Sequence, residues 1–284
     1  MRTVEQRIFK AGSTTYYWSS RFFPKDVRAD VLKLYSFVRV LDDYVDSLPQ
    51  QTQAFYALRT AWQAAQADPA FDIGPARHDT VDQRVIKNIV GLARTHRFDA
   101  DWITAFWNTM QSDLEGRRYQ TLADSLAYVH GSAEIIGLMM ARIFGLPPEA
   151  GRAARLQGRA MQWINFIRDI AEDNQLGRCY FPREDLDVFG LDDLQAATAQ
   201  AHPERFAAFM RFELGRYAAW QAEAARGYKH MPHRLRVAVA TASDMYAWTA
   251  EQIGRQPFAV FGQKVKPGRS RIVRSGLVRL FRTL

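Results

Sequence analysis

The sequence has little of what marks a secreted, zinc-binding or membrane-spanning protein. Its single cysteine, Cys179, excludes an intramolecular disulfide and any zinc site built from several cysteines. No apolar segment near the N-terminus resembles a signal peptide. The most apolar run, residues 135–146, contains Arg142 and is too short to span a bilayer. With only 17 glycines and 11 prolines in 284 residues, helices are favoured. We therefore expect a cytoplasmic helical protein.

Positive charge is concentrated at the C-terminal end. The net charge of +8 arises from 38 Lys and Arg against 30 Asp and Glu. From Gln252 onward the sequence has no acidic residue, so the preceding part of the chain is neutral. A neutral body without a recognised module is not typical of nucleic-acid-binding proteins. We therefore expect no nucleic-acid partner.

Apolar residues recur at helical spacing between the prolines, and no alternating strand pattern stands out. The pattern predicts helices over residues 13–20, 24–47, 51–66, 79–97, 99–113, 121–145, 148–176, 203–229, 233–254 and 269–282. This indicates an all-α fold in which residues 1–284 form a single domain. The last segment, about 269–284, is basic and amphipathic.

The first polar stripe lies on the predicted helix 24–47. Residues at i, i+4, i+7 and i+11 share a helical face, and that spacing joins Tyr35, Arg39, Asp42 and Asp46. The opposite side is apolar and is expected to face the core: Leu34, Phe37, Leu41, Val45 and Leu48. Two like charges four residues apart destabilise a helix by roughly 0.2–0.5 kcal/mol. A divalent cation would compensate for this, although a solvated acidic helix end explains the pattern as well.

A second stripe lies on the predicted helix 148–176. Gln162, Asn165, Asp169 and Asp173 occupy one narrow arc, and most of the other side chains are apolar. Carboxylates on a buried helix are costly unless they are paired or bind a metal. Oxygen ligands without histidine suit Mg²⁺. Together the stripes predict two helices that face each other across a cavity and share metal ions with a diphosphate.

Several segments carry a resemblance to a known family. They are Tyr-Tyr-Trp-Ser-Ser-Arg-Phe-Phe-Pro at 16–24, the stripe at 34–46, Gly-Ser-Ala-Glu-Ile-Ile-Gly-Leu-Met-Met at 131–140, the stripe at 162–173 and Gly-Arg-Cys-Tyr-Phe-Pro at 177–182. In this order, over about residues 13–266, they resemble the squalene/phytoene synthase family. The resemblance implies an isoprenoid synthase helical bundle around a central cavity. It also implies an enzyme, a Mg²⁺-dependent prenyltransferase.

The resemblance implies roles for particular residues. Metal ligands would be Asp42, Asp46, Asn165, Asp169 and Asp173, and the four aspartates and Tyr35 would be catalytic. Substrate contacts would be Ser13, Tyr16, Tyr35, Arg39, His130, Gln162, Arg168, Arg178, Tyr180, Tyr246 and Lys264. Four places depart from the family pattern: Gly12 stands where relatives often carry histidine, His130 where tyrosine is common, Cys179 interrupts the motif at 177–182, and residues 264–266 carry lysines where arginine is frequent. The implied cofactor is Mg²⁺, with Mn²⁺ as an alternative. No dinucleotide fingerprint is visible, so NADPH is not expected.

The implied reaction joins two prenyl diphosphates head to head through a cyclopropylcarbinyl diphosphate. Ser20 and Leu32 are of modest size and, if they line the cavity floor, leave room for C20 chains. We therefore expect geranylgeranyl diphosphate as substrate and phytoene as product. The alternative is a C30 dehydrosqualene or squalene synthase that uses farnesyl diphosphate. A non-enzymatic, membrane-binding helical adaptor would explain the basic tail but not the carboxylates.

Two further patterns have more than one interpretation. The apolar residues Ile272, Val273, Gly276, Leu277, Leu280, Phe281 and Leu284 fall on one side of the last predicted helix. This suits an amphipathic helix on an anionic membrane surface, at the inner face of the membrane. It equally suits a terminal helix packed on the body. His130 and Glu134, four residues apart, are interpreted as a packing pair rather than as metal ligands.

Overall fold

The computed structural model of the protein describes residues 3–76 and 78–281. Over these residues the chain forms helices and no strand, which confirms the predicted all-α class. The α-helices are α1 Val4–Gly12, α2 Thr14–Ser19, α3 Lys25–Asp46, α4 Thr52–Ala67, α5 Val81–His96, α6 Ala100–Leu114, α7 Leu122–Val129, α8 Ile135–Ile143, α9 Gly151–Arg168, α10 Ile170–Gln175, α11 Arg183–Val188, α12 Ala196–Ala201, α13 Pro203–Ala225, α14 His233–Arg255 and α15 Arg269–Phe281.

Two long predicted helices are interrupted. The segment predicted at 121–145 contains one π-helical turn, His130–Glu134, between α7 and α8. The segment predicted at 148–176 starts with a 3₁₀ turn and is broken at Asp169, whose φ of −100° and ψ of 13° separate α9 from α10. Apolar periodicity does not reveal the break at Asp169, because the side chains on either side of it keep nearly the same facing. The short helices α1, α11 and α12 were not predicted.

Helix α9 runs through the centre of the bundle and packs on α8 and α13. Two glycines set its distance from the preceding segment. A Cβ on Gly137 of α8 would collide with the carbonyl of Ala154, and a Cβ on Gly158 of α9 would collide with the carbonyl of Ala133. The two backbones therefore touch, and any larger residue at either glycine would push the helices apart.

Helix α15 packs on the body, against α2 and α14. Ile272 is fully buried, and Gly276 lies so close to the ring of Phe22 that a Cβ there would collide with it. Arg279 forms an ion pair with Asp244 of α14. For Ile272 and Gly276 the structure therefore fits the second interpretation, a terminal helix packed on the body.

Part of the apolar surface of α15 remains exposed. Leu277, Val278 and Phe281 all face solvent, Phe281 with 65% of its surface. The predicted contribution of Leu284 lies outside the described residues. Among the described residues, none of the helices combines the length and apolar character needed to cross a bilayer.

Candidate active site

A cavity of about 820 Å³ lies between α3, α8, α9 and α14. Helix α9 forms one wall of it, from Ala153 to the polar residues near Asp169. This wall changes in character along the helix. Its first half presents small residues such as Ala154 and Gly158, and its second half presents Gln162, Asn165 and then the carboxylates. The cavity therefore has a polar mouth and an apolar depth.

The first predicted stripe lies at the mouth. Tyr35, Arg39, Asp42 and Asp46 all line the cavity. On the other side of α3, four of the five residues predicted to face the core are buried: Leu34, Phe37, Leu41 and Val45. The fifth prediction was wrong, because Leu48 follows the end of the helix and has 70% of its surface exposed.

The second predicted stripe lies at the same mouth. Gln162, Asn165, Asp169 and Asp173 all line the cavity, although the helix breaks between them. The stripe survives the break because the Asp169 amide still donates to the Asn165 carbonyl (2.8 Å) and the Asp173 amide to the Asp169 carbonyl (2.9 Å). The i to i−4 pattern, and with it the common facing, is preserved.

The carboxylates of the second stripe differ in their surroundings. Asp169 accepts a hydrogen bond from Arg168 Nε (2.8 Å) and lies 2.9 Å from Lys264 Nζ. Burial opposes ionisation of Asp169, but these cations hold its pKa below the usual range. For Asp173, burial and the nearby charge of Asp169 raise the pKa to about 8. Protein cations therefore neutralise Asp169, whereas Arg178 only partly offsets the burial of Asp173.

The first stripe also contains a buried carboxylate whose charge the protein does not fully compensate. Burial, followed by the charge of Asp46, raises the pKa of Asp42 well above its usual range. The Asn165 Oδ1 atom is buried and has no hydrogen-bond partner. Carboxylates that repel one another and an orphaned amide oxygen together suit a hard divalent cation. Asp42, Asn165 and Asp173 therefore fit the predicted role, whereas Asp46 and Asp169 each already have a cationic partner.

No three acidic, histidine or cysteine side chains within the described part of the chain cluster closely enough to form a metal site. Mg²⁺ commonly takes only one or two carboxylates and fills its remaining positions with phosphate oxygens and water. The donor set at the mouth is of this kind.

The family model described as squalene/phytoene synthase matches residues 9–271 of the sequence. The chain belongs to this family. Its members are enzymes, so the prediction of an enzyme is confirmed and the adaptor alternative is dropped.

Relatives and solved structures agree with this membership. A 15-cis-phytoene synthase of Paracoccus sp. (strain N81106 / MBIC 01143) is 31% identical over 245 residues, which are 83% of this chain and 76% of the relative. A dehydrosqualene synthase structure superposes with a TM-score of 0.81 at 22% identity, covering 97% of this chain and 93% of that one. Squalene synthase HpnC from Alicyclobacillus acidocaldarius gives 0.73 at 25% identity, covering 90% and 93%. The predicted isoprenoid synthase fold is thus confirmed.

Most of the predicted substrate contacts of this family member lie on the cavity wall: Ser13, Tyr16, Tyr35, Arg39, Gln162, Arg168, Arg178, Tyr180, Tyr246 and Lys264. Arg178 is engaged by the protein itself. Its guanidinium donates to Asp46 Oδ1 (2.6 Å) and to the Val45 carbonyl (2.7 Å). Arg178 therefore stabilises the C-terminal end of α3, and its guanidinium donors are used by the protein instead of pointing free into the cavity.

His130 is not on the cavity wall, in contrast to its predicted substrate contact. It lies in the π-helical turn, where its Nδ1 is 3.0 Å from Glu134 Oε2. The buried Glu134 also accepts hydrogen bonds from Arg155 and Arg159. The interpretation of His130 and Glu134 as a packing pair fits this geometry, because neither side chain lines the cavity.

Gly12 has a steric explanation. A Cβ at this position would collide with the hydroxyl of Tyr35 and lie 3.0 Å from Cδ of Arg39. The glycine thus leaves space that these two cavity side chains occupy. A histidine here would require both of them to move.

Asp113 and Tyr128 are among the cavity residues that sequence reasoning missed. Asp113 is 7% exposed at the end of α6, and its carboxylate accepts hydrogen bonds from the hydroxyls of Tyr128 (2.7 Å) and Tyr180 (2.9 Å). Burial raises the pKa of Asp113 to about 6, although Arg178 and both hydroxyls act in the opposite direction. The available signal was weak: an aspartate near the C-terminal end of α6, shortly before Arg117 and Arg118.

Proposed function

We propose that the protein condenses two molecules of geranylgeranyl diphosphate head to head and forms phytoene through a cyclopropylcarbinyl diphosphate. The observation that carries this proposal is the pairing of two carboxylate stripes across the mouth of one apolar cavity. Family membership and the roughly 30%-identical 15-cis-phytoene synthases support the reaction class. We propose that the whole chain acts as one catalytic domain.

The mouth would bind the diphosphate groups. Mg²⁺, or Mn²⁺ in its place, would be held by Asp42, Asp46, Asn165, Asp169 and Asp173 and would neutralise the leaving group. Arg39 and Arg168 would add fixed positive charge beside it. Lys264, which now contacts Asp169 and Glu172, would be a third cation within reach of a phosphate oxygen.

The apolar depth of the cavity would shield the allylic carbocation from water. Heterolysis of the allylic C–O bond sends the electron pair out with diphosphate and leaves a carbocation that water would quench. Tyr16 and Tyr246, with ring centroids 5.8 Å apart, lie on the wall below the mouth, where ring faces stabilise cations. Tyr35 would position substrate beside them. The second ionisation would end in loss of a proton, so we propose that NADPH is not consumed.

The length of the cavity favours C20 chains. Along α9 the wall from Ala153 to Asp169 extends over about 24 Å at 1.5 Å per residue. A geranylgeranyl chain extends over about 19 Å and a farnesyl chain over about 14 Å, taking bonds of about 1.5 Å. Ser20 lines the cavity as expected, but Leu32 is buried in the core and does not. The C20 preference therefore rests on the depth of the wall and on Ser20.

Product analysis tests the substrate assignment. Purified protein is incubated separately with C15 and C20 diphosphates, with and without NADPH, and the hydrocarbons are separated. We expect a C40 hydrocarbon from the C20 substrate, independent of NADPH. A product formed only from the C15 substrate would replace this proposal with the C30 alternative.

We also propose that α15 contacts an anionic membrane surface, which would place a cytoplasmic protein peripherally on the inner face. Leu277, Val278 and Phe281 are exposed on α15, and Arg274 is exposed one turn earlier. Apolar side chains next to arginine suit such a surface. Flotation with anionic vesicles should decrease for the Phe281→Ser variant and not for Val188→Ser, which alters an exposed valine on α11. Equal flotation of all three proteins would contradict the proposal.

A further inference from the structure

Asp113 is a buried acid that the two carboxylate stripes do not include. It lies at the end of α6, faces the cavity and holds two tyrosine hydroxyls, one on each carboxylate oxygen. A carboxylate that accepts two such bonds fixes both rings, because charge-assisted hydrogen bonds are short and directional. At neutral pH it is largely ionised, since its pKa is about 6.

The two rings belong to a stack. Tyr180 lies flat on Phe166, with centroids 4.4 Å apart and planes 9° apart, and Tyr128 lies 4.7 Å from Tyr180. We call Tyr128, Phe166 and Tyr180 the aromatic wall. All three line the cavity, and the carboxylate of Asp113 lies at the hydroxyl ends of the two tyrosines.

The backbone of Asp113 ties this wall to the first stripe. Its carbonyl accepts hydrogen bonds from Gln50 (3.1 Å) and Arg178 (3.3 Å). Both of these side chains also donate to the carbonyl of Val45, next to Asp46. The wall is therefore held in a fixed position relative to the mouth where the diphosphate would leave.

We propose that Asp113 is a positioning residue for the cationic steps of the reaction. It anchors the hydroxyls of the aromatic wall and places a negative charge at the hydroxyl ends of rings that line the cavity in which the carbocation would form. Electron-rich ring faces attract cations, and a fixed charge in a water-poor site adds to this attraction. Asp113 forms no bond to substrate. The allylic C–O bond breaks, the electron pair leaves with diphosphate, and the cation is consumed by carbon–carbon bond formation and proton loss.

This inference rests on the proposed function, and its test uses the full-length protein with C20 diphosphate and Mg²⁺. In Asp113→Asn the amide nitrogen can only donate, so one tyrosine hydroxyl loses its acceptor while the side chain keeps its size. The control is Glu115→Gln, an exposed acid two residues further on that accepts a hydrogen bond from Gln111. Steady-state constants and all products, prenyl alcohols included, are measured.

We expect Asp113→Asn to reduce kcat by about tenfold with little change in KM, the size expected for loss of a desolvated cation–π environment. The fraction of ionised substrate that ends as prenyl alcohol should rise, because a poorly stabilised cation is captured by water. The control should match the wild type in both respects. A purely structural role would not change the ratio of alcohol to hydrocarbon among turnovers that occur.

Three results would overturn the inference: a rise in KM alone, an unchanged product ratio, or the same behaviour in both variants. If Asp113→Asn does not fold, Tyr180→Phe, which keeps the ring and removes one donor, must show the alcohol shift instead. Failure of the proposed function would look different, because the wild-type protein itself would then release no diphosphate.

Discussion

Glu213 gives the structure a specific dependence of stability on pH. This side chain on α13 is fully buried and accepts hydrogen bonds from the indole of Trp163 (2.9 Å) and from Arg216 (3.1 Å). Asp185 shares the same guanidinium, at 2.6 Å. Burial raises the pKa of Glu213 to about 8 despite Arg216, and the charge of Asp185 adds to the increase. Near neutral pH this carboxyl therefore retains a proton.

The direction of this pH dependence follows from comparison with the unfolded chain, in which the pKa of glutamate is about 4.3. Between that value and about 8, the folded protein binds a proton that the unfolded chain has released. The free energy of unfolding therefore decreases as pH rises through this range, by at most about 1.4 kcal/mol per pH unit. From pH 6 to pH 7.5 the contribution is at most about 2 kcal/mol.

Glu213→Gln removes the titration and keeps an acceptor for Trp163. Urea unfolding is measured at pH 6 and at pH 7.5 for the wild type, this variant and Glu223→Gln. Glu223 lies on the same helix and forms an ion pair with Arg152 of α9. We expect a smaller loss of stability over this interval in Glu213→Gln only. Equal losses in all three proteins would refute the assignment of a buried, protonated Glu213.

Three other predictions follow from contacts elsewhere in the structure. Gly276→Leu should push α15 away from Phe22, lower stability by about 1–3 kcal/mol and expose the C-terminal segment to protease; an unchanged digestion pattern would contradict the packing. Asn165→Ala should raise the Mg²⁺ concentration needed for half-maximal turnover and weaken Mn²⁺ binding in the presence of diphosphate; unchanged metal binding would exclude Asn165 as a ligand. Ala153→Phe should shift preference from C20 toward C15 substrates, and an unaltered ratio would show that this wall does not set chain length.

Much of the architecture could be predicted because amphipathic helices place apolar residues at regular intervals along the sequence. Helix α3 was expected at 24–47 and spans Lys25–Asp46, and its polar stripe lines the cavity as the spacing indicated. The second stripe was equally predictable, since its polar residues keep helical spacing across the break between α9 and α10. Both stripes could be recognised from the sequence because carboxylates on a buried face need a partner.

Contacts between distant segments could not be predicted in this way. Helical spacing gives no sign that Arg178 would bind Asp46, 132 residues away, or that Asp113 would meet Tyr180, 67 residues away. The family resemblance implied a substrate contact for His130, but this residue lies in a π-helical turn, where its Nδ1 is 3.0 Å from Glu134 Oε2. The packing of α15 depends on Gly276 meeting Phe22, which only the folded chain brings together.

The most direct measurement of the central claim is Mg²⁺-dependent diphosphate release from a C20 prenyl diphosphate by the wild type, Asp42→Asn and Asp173→Asn. One substitution lies on each stripe, at carboxylates that line the same mouth. The account predicts two diphosphates released per hydrocarbon in the wild type and a large loss of release in both variants. Wild-type release by either variant, or release that persists after chelation of the metal, would contradict it.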